Sequence, residues 1–282
     1  MSDVTRIKDY YKTCHDLLAG KDPITLPNYR AITFKEAEDI AEFVRKGDPR
    51  RAKILFMSHV FLNDVRAALA YHYKACTPLS DLYLVIESAT LALFQENYIA
   101  AYLTLMPVIE GTILRWMGFN PANTKPPFAD VKAFLAAKLP EVRKKIETAN
   151  ASDNLKEVAL AQAEYLEAVI KTHLFEQHLK RISDFNRHLA GHLIGKPEYC
   201  NSFNLATLFV LFDNLVDMIL WDIGQYGPTW SEEFSDKRRE ARRMYNMFFE
   251  AARTAPPPHF RLARDINAQN QDYFARWFAE LE

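Results

Sequence analysis

The run from Phe203 to Ile223 most constrains what this chain can fold into. It is long enough to cross a bilayer as a helix, for which about 20 apolar residues suffice. It also carries Asp213, Asp217 and Asp222, and a carboxylate at the centre of a membrane costs about 2.5–3.5 kcal/mol. The same run is therefore expected to be a core helix, buried in protein with its acids paired.

The remaining chain has the means to cover such a helix. Hydrophobic residues make up 49% of the 282 and charged residues 25%, which is ordinary for a chain that buries a sizeable core. No segment alternates cleanly between apolar and polar residues, no fixed-length repeat recurs, and glycine occurs only 8 times. The expected fold is all-α: a helical bundle over residues 76–227, an N-terminal helical extension at 1–75 and a C-terminal one at 228–282.

Several boundaries can be placed. Thr33 with Glu36 matches a capping box opening a helix that Gly47-Asp48-Pro49 ends. Apolar spacing predicts one helix from Arg50 to about Lys74 and another from Pro78–Asp81 through Phe94. Asn97 is expected to cap a helix over 98–117 that Pro107 kinks or breaks. Residues 118–127 read as a loop, 128–150 as a more polar helix, and Asp153 to about Ile182 as a long one. Ser183-Asp184 would start a short helix that Gly195-Lys196-Pro197 ends. The segment 201–224 is expected to be the most buried helix. Ser231 onward would form a final helical pair split at 255–258.

The short helix at 185–195 carries the densest chemistry. Asn186, Arg187, His188 and His192 place an amide, a guanidinium and two imidazoles within seven residues. On a helix the two histidines share a face, while Arg187 lies about 140° from His192. One helix does not aim both at one atom, so two copies meeting across a dimer axis would complete the site. Such a set suits metal-free cleavage of an RNA phosphodiester. A histidine titrates near neutrality and can take the 2′-hydroxyl proton or protonate the leaving oxygen. A guanidinium stabilises charge on the phosphoryl oxygens.

Arg187-x4-His192 preceded by Asn186 resembles the Arg-x(4–6)-His signature of the HEPN superfamily (higher eukaryotes and prokaryotes nucleotide-binding). Asn186-Arg187-His188-x3-His192 resembles the fuller string of uncharacterised bacterial HEPN-like proteins, with Leu193 where that form has glycine. Pro107 to Gly111 also looks like a segment those proteins place on an earlier core helix. The resemblance covers roughly 76–227. It implies a dimeric helical bundle acting as a metal-independent ribonuclease, of the toxin or antiviral-effector type, sometimes held by an antitoxin protein. It further implies catalytic roles for Arg187 and His192, with Asn186 and His188 in support. A non-catalytic helical module that binds nucleotide or another protein is the alternative, since some members have lost activity.

Other candidates are weighed on their chemistry. Glu110, beside Pro107, could orient Arg187 or a histidine, or pair with Arg115. Asp213 and Asp217 are expected to pair with Arg187 or with basic residues of neighbouring helices, a structural pairing favoured over a catalytic role. Arg238/Arg242 and Arg239/Arg243 form two i,i+4 rows that could track phosphates, or could be a solvated, salt-bridged face. The basic cluster Lys138–Lys145 is a weaker version of the same feature. His188 and His192 have metal spacing, which Asp213, Asp217 or Glu110 could complete in space, but neither HExxH nor an ExxH pair is present, so no metal or cofactor is expected. P-loop, dinucleotide-binding and serine-hydrolase motifs are absent. Net charge is −1, so attraction to RNA must come from local patches. Three scattered cysteines, Cys14, Cys76 and Cys200, with a polar N-terminal stretch, point to a reducing cytoplasm and no membrane.

Overall fold

The computed structural model describes residues 34–120, 122–169, 199–225 and 236–254. Every regular element among them is helical, and the fold is all-α. In chain order the α-helices are α1 (Phe34–Arg45), α2 (Pro49–Val60), α3 (Asn63–Ala75), α4 (Tyr83–Phe94), α5 (Tyr98–Trp116), α6 (Phe128–Thr148), α7 (Asp153–Val169), α8 (Ser202–Asp222) and α9 (Asp236–Thr254). A 3-10 turn at Thr77–Leu79 separates α3 from α4.

Helix α8 is the axis of the bundle. Of its 21 residues, 18 are buried, so it has no solvent face along most of its length. Helices α2, α5, α6 and α7 all pack against it. By length and composition it could cross a membrane, but 94% of its most apolar window is buried within the protein. Its start is set by Asn201, whose side chain accepts the Asn204 backbone amide at 2.9 Å and so satisfies one of the free donors of the first turn. Its end is set by Gly224 at φ +73°. There the Gln225 amide reaches back to the Leu220 carbonyl at 2.9 Å, a closure that requires the left-handed backbone glycine adopts without strain.

Residues 34–75 enter this same core through Ile40, Ala52, Phe56, Val60, Leu69 and Tyr73, alongside Leu105, Leu139 and Trp221. Helix α9 instead docks on α3 and α4 through a separate small cluster of Ala67, Ala70, Phe94 and Phe249.

Three sequence expectations change. The single helix expected over 50–74 is two, because Leu62 takes extended backbone (φ −63°, ψ 131°) after Phe61. The break lets α2 lie along α8 while α3 turns toward α4 and α9. Of the kink or break expected at Pro107, the break does not occur: α5 runs through it, with Pro107 exposed, so the one lost amide falls on the solvent side. The helix expected from Pro78 starts only at Tyr83, with the 3-10 turn at 77–79 and a further turn at 80–82 taking up the intervening chain. Asn97 caps α5 as expected, its side chain accepting the Ala100 amide at 3.1 Å. Thr33, the continuation of α7 to Ile182, the short helix expected at 185–195, the start of the final helical pair at Ser231 and everything after residue 254 lie outside the described residues.

Candidate functional site

The acids of α8 are paired inside the bundle. Asp213, 1% exposed, receives Arg66 Nη2 of α3 at 2.7 Å and the Tyr73 hydroxyl. The Arg66 guanidinium is 2% exposed and lies 4.9 Å from the centre of the Phe209 ring. One turn on, Asp217 accepts Gln162 Nε2 of α7 at 3.1 Å, and the same amide reaches Asn214 Oδ1 at 2.6 Å. Burial works against the charge on Arg66, but Asp213 and Tyr73 outweigh it and hold the guanidinium above its usual range. Burial likewise lifts the Tyr73 hydroxyl well above its usual range, and Asp213 adds to the lift. This set ties α3, α7 and α8 together. Sealed from solvent, it positions helices and does not meet substrate.

Sequence reasoning expected basic partners for these acids but did not name Arg66, Tyr73 or Gln162. A signal existed. Arg66 falls in register with Leu69, Ala70 and Tyr73, and Gln162 with Val158 and Leu166. A polar residue at a core position of an apolar stripe is one that must find a buried partner.

The third acid, Asp222, sits at the C-terminal end of α8 and gathers the Lys138–Lys145 cluster. Trp116 Nε1 donates to it at 2.7 Å, and Lys138 and Lys145 lie at 3.1 and 2.5 Å. Lys145 also donates to the Asp222 carbonyl at 2.8 Å, where a cation is favoured at a helix C-terminus. Arg143 pairs with Glu167 at 3.1 Å. Lys138, Arg143 and Lys145 thus clasp α6 to α8 and α7, which weakens the case for a phosphate track there.

Glu110 lies on α5, partly exposed, and pairs with Lys125 at 2.5 Å. Arg115, the partner considered from sequence, instead donates to the Gly111 carbonyl at 3.4 Å. Cys76 and Cys200 are buried; burial pushes their thiols up to about 12 and about 11, with Asp217 adding to the rise at Cys76. Neither offers a thiolate near neutral pH.

The basic face of α9 divides. Arg239 and Arg243, one turn apart, are exposed. Arg242 is bound to Asp64 of α3. Arg238 belongs to the same helix, and its side chain is outside the described set. Asn186, Arg187, His188 and His192 lie outside the described residues.

No family model, curated protein or solved structure matches the chain. Functional assignment therefore rests on the residues.

Proposed function

We propose that the protein binds RNA and cleaves it without metal, with Arg187 and His192 as the catalytic pair and a second subunit completing the site. The carrying observation is the string Asn186-Arg187-His188-x3-His192 and its resemblance to the HEPN signature, set in a chain whose fold is all-α. In this reading the 2′-oxygen attacks phosphorus, one histidine takes its proton, and the 5′-oxygen leaves with a proton from a second acid. Arg187 neutralises the charge gathering on the non-bridging oxygens. Asn186 and His188 orient these groups. The products are a 2′,3′-cyclic phosphate and a 5′-hydroxyl. Arg239 and Arg243, exposed on α9, would hold the RNA backbone beside Arg242 and Arg238. Glu110 would support the site only by exchanging its Lys125 partner. Such an activity needs restraint in its host, for which an antitoxin-like partner protein is the expected means.

One observation favours a second reading, that of a non-catalytic nucleotide-binding or protein-interaction module. Leu193 follows His192 where the resembling form has glycine, and the larger side chain limits how closely two such helices approach. Incubating labelled RNA in EDTA with wild type and with the Arg187→Ala, His192→Ala double variant separates the two. Cleavage by wild type alone, leaving a cyclic phosphate end, is expected. Equal cleavage by both proteins, or none by wild type, sinks the enzyme.

A further inference from the structure

Helix α9 meets α3 through an apolar and a polar contact two turns apart on one face. Phe249 is 0% exposed and its ring lies 4.8 Å from that of Phe94. Toward the N-terminus of α9, Asp64 accepts Arg242 Nε at 2.7 Å on one oxygen and Arg242 Nη2 on the other. Asn246 Nδ2 adds a third donor at 3.0 Å. Gripped along its Nε–Nη2 edge, Arg242 presents to Asp64 the planar fork it would offer to two oxygens of a phosphodiester. Arg239 and Arg243 flank it, exposed.

We propose that Asp64 is an internal phosphate mimic, an autoinhibitory contact that holds Arg242 out of the phosphate track of α9 until RNA displaces it. The proposal rests on the RNA-binding reading above and names how that surface is restrained. Three observations carry it. The contact is bidentate, so the carboxylate occupies the donors a phosphate would use. The two side chains keep 41% and 56% exposure, so an incoming anion can reach them and salt weakens the pair. Phe249 anchors α9 independently, so releasing Arg242 does not require the helix to leave α3. The hydrogen bonds from Arg242 also hold the Asp64 carboxyl below its usual 3.8, so the competitor stays ionised at neutral pH.

The test measures binding of a labelled 2′-O-methyl single-stranded RNA, which has no attacking hydroxyl, by the full chain across a salt series. Asp64→Asn is expected to tighten binding roughly 3- to 10-fold and to steepen the salt dependence by about one phosphate contact. Glu240→Gln makes the same charge change on α9 and is expected to tighten binding less than about 2-fold. In an Arg242→Ala background the Asp64→Asn gain disappears. The proposal is overturned if Asp64→Asn gains no more than Glu240→Gln, or if its gain survives without Arg242. The RNA reading is judged separately by an Arg239→Ala, Arg243→Ala variant: unchanged binding there removes the phosphate track itself, whatever Asp64 does.

Discussion

Glu96 is the one non-glycine residue with positive φ among those described, at +58°. It closes α4: its own amide bonds to the Leu93 carbonyl at 2.9 Å and the next, from Asn97, reaches Ala92 at 2.8 Å. Asn97 then caps α5, so two helices are joined with almost no loop. The left-handed backbone costs a residue with a Cβ about 1–2 kcal/mol, and glycine gives part of that back in unfolded-chain entropy. Glu96→Gly is therefore expected to stabilise the protein by about 0.5–1 kcal/mol in urea unfolding, and a loss of stability would show that the Glu96 side chain holds something itself. The buried Arg66–Asp213 pair behaves oppositely. Arg66→Met or Asp213→Leu alone strands a partner in the core and is expected to cost about 3–5 kcal/mol. The two together are expected to recover much of that loss in the same assay. Simple additivity would mean that the pair does not act as a unit.

At the scale of elements, the polar contacts between α6 and α8 converge on one carboxylate. Hydrogen bonds from Lys145, Trp116 and Lys138 overcome the opposing effect of burial and hold Asp222 below its usual 3.8. Its contribution is present in full above about pH 4 and is lost as pH falls from there through the lower folded value. Asp222→Asn is thus expected to cost about 1–2 kcal/mol at pH 7 and to make the acid limb of a stability-against-pH curve shallower. An acid limb matching that of wild type would remove the clasp. Elements also show what was legible in the sequence. Helix α8 could be read because apolar residues occur all around it, so no choice of face was needed. The break at Phe61–Leu62 could not, because neither residue is a breaker and the apolar rhythm runs through it; only the directions of α2 and α3 demand it. Pro107 does not bring the break allowed for it, because it stands on an exposed face where the lost amide falls toward solvent. For the candidate site, the sequence supplied the cluster at 186–192 and the α9 arginines. It did not supply the restraint on Arg242, whose partner Asp64 is distant in the chain and carries no local mark.

For the whole molecule, the proposed ribonuclease is expected to act as a homodimer, because on a single helix Arg187 and His192 would lie about 140° apart. Light scattering at micromolar concentration is expected to give about twice the 32.6 kDa chain mass; the chain mass itself would remove the shared site. RNA cleavage by that dimer should follow a bell-shaped pH profile if one histidine acts as base and another as acid.

A bundle built around its late helix has a consequence for synthesis. Helices α2, α5, α6 and α7 leave the ribosome before α8, the helix they pack against. At roughly 5–20 residues per second, the interval between the end of α7 and the end of α8 lasts on the order of several seconds. During it, Phe56, Leu105, Leu139 and Leu166 have no axis to pack on. A nascent chain stalled before Ser202 is therefore expected to engage ribosome-associated chaperones that one stalled well beyond Gly224 has released. The order of elements along the gene is thus expected to set when the nascent chain is most exposed to aggregation.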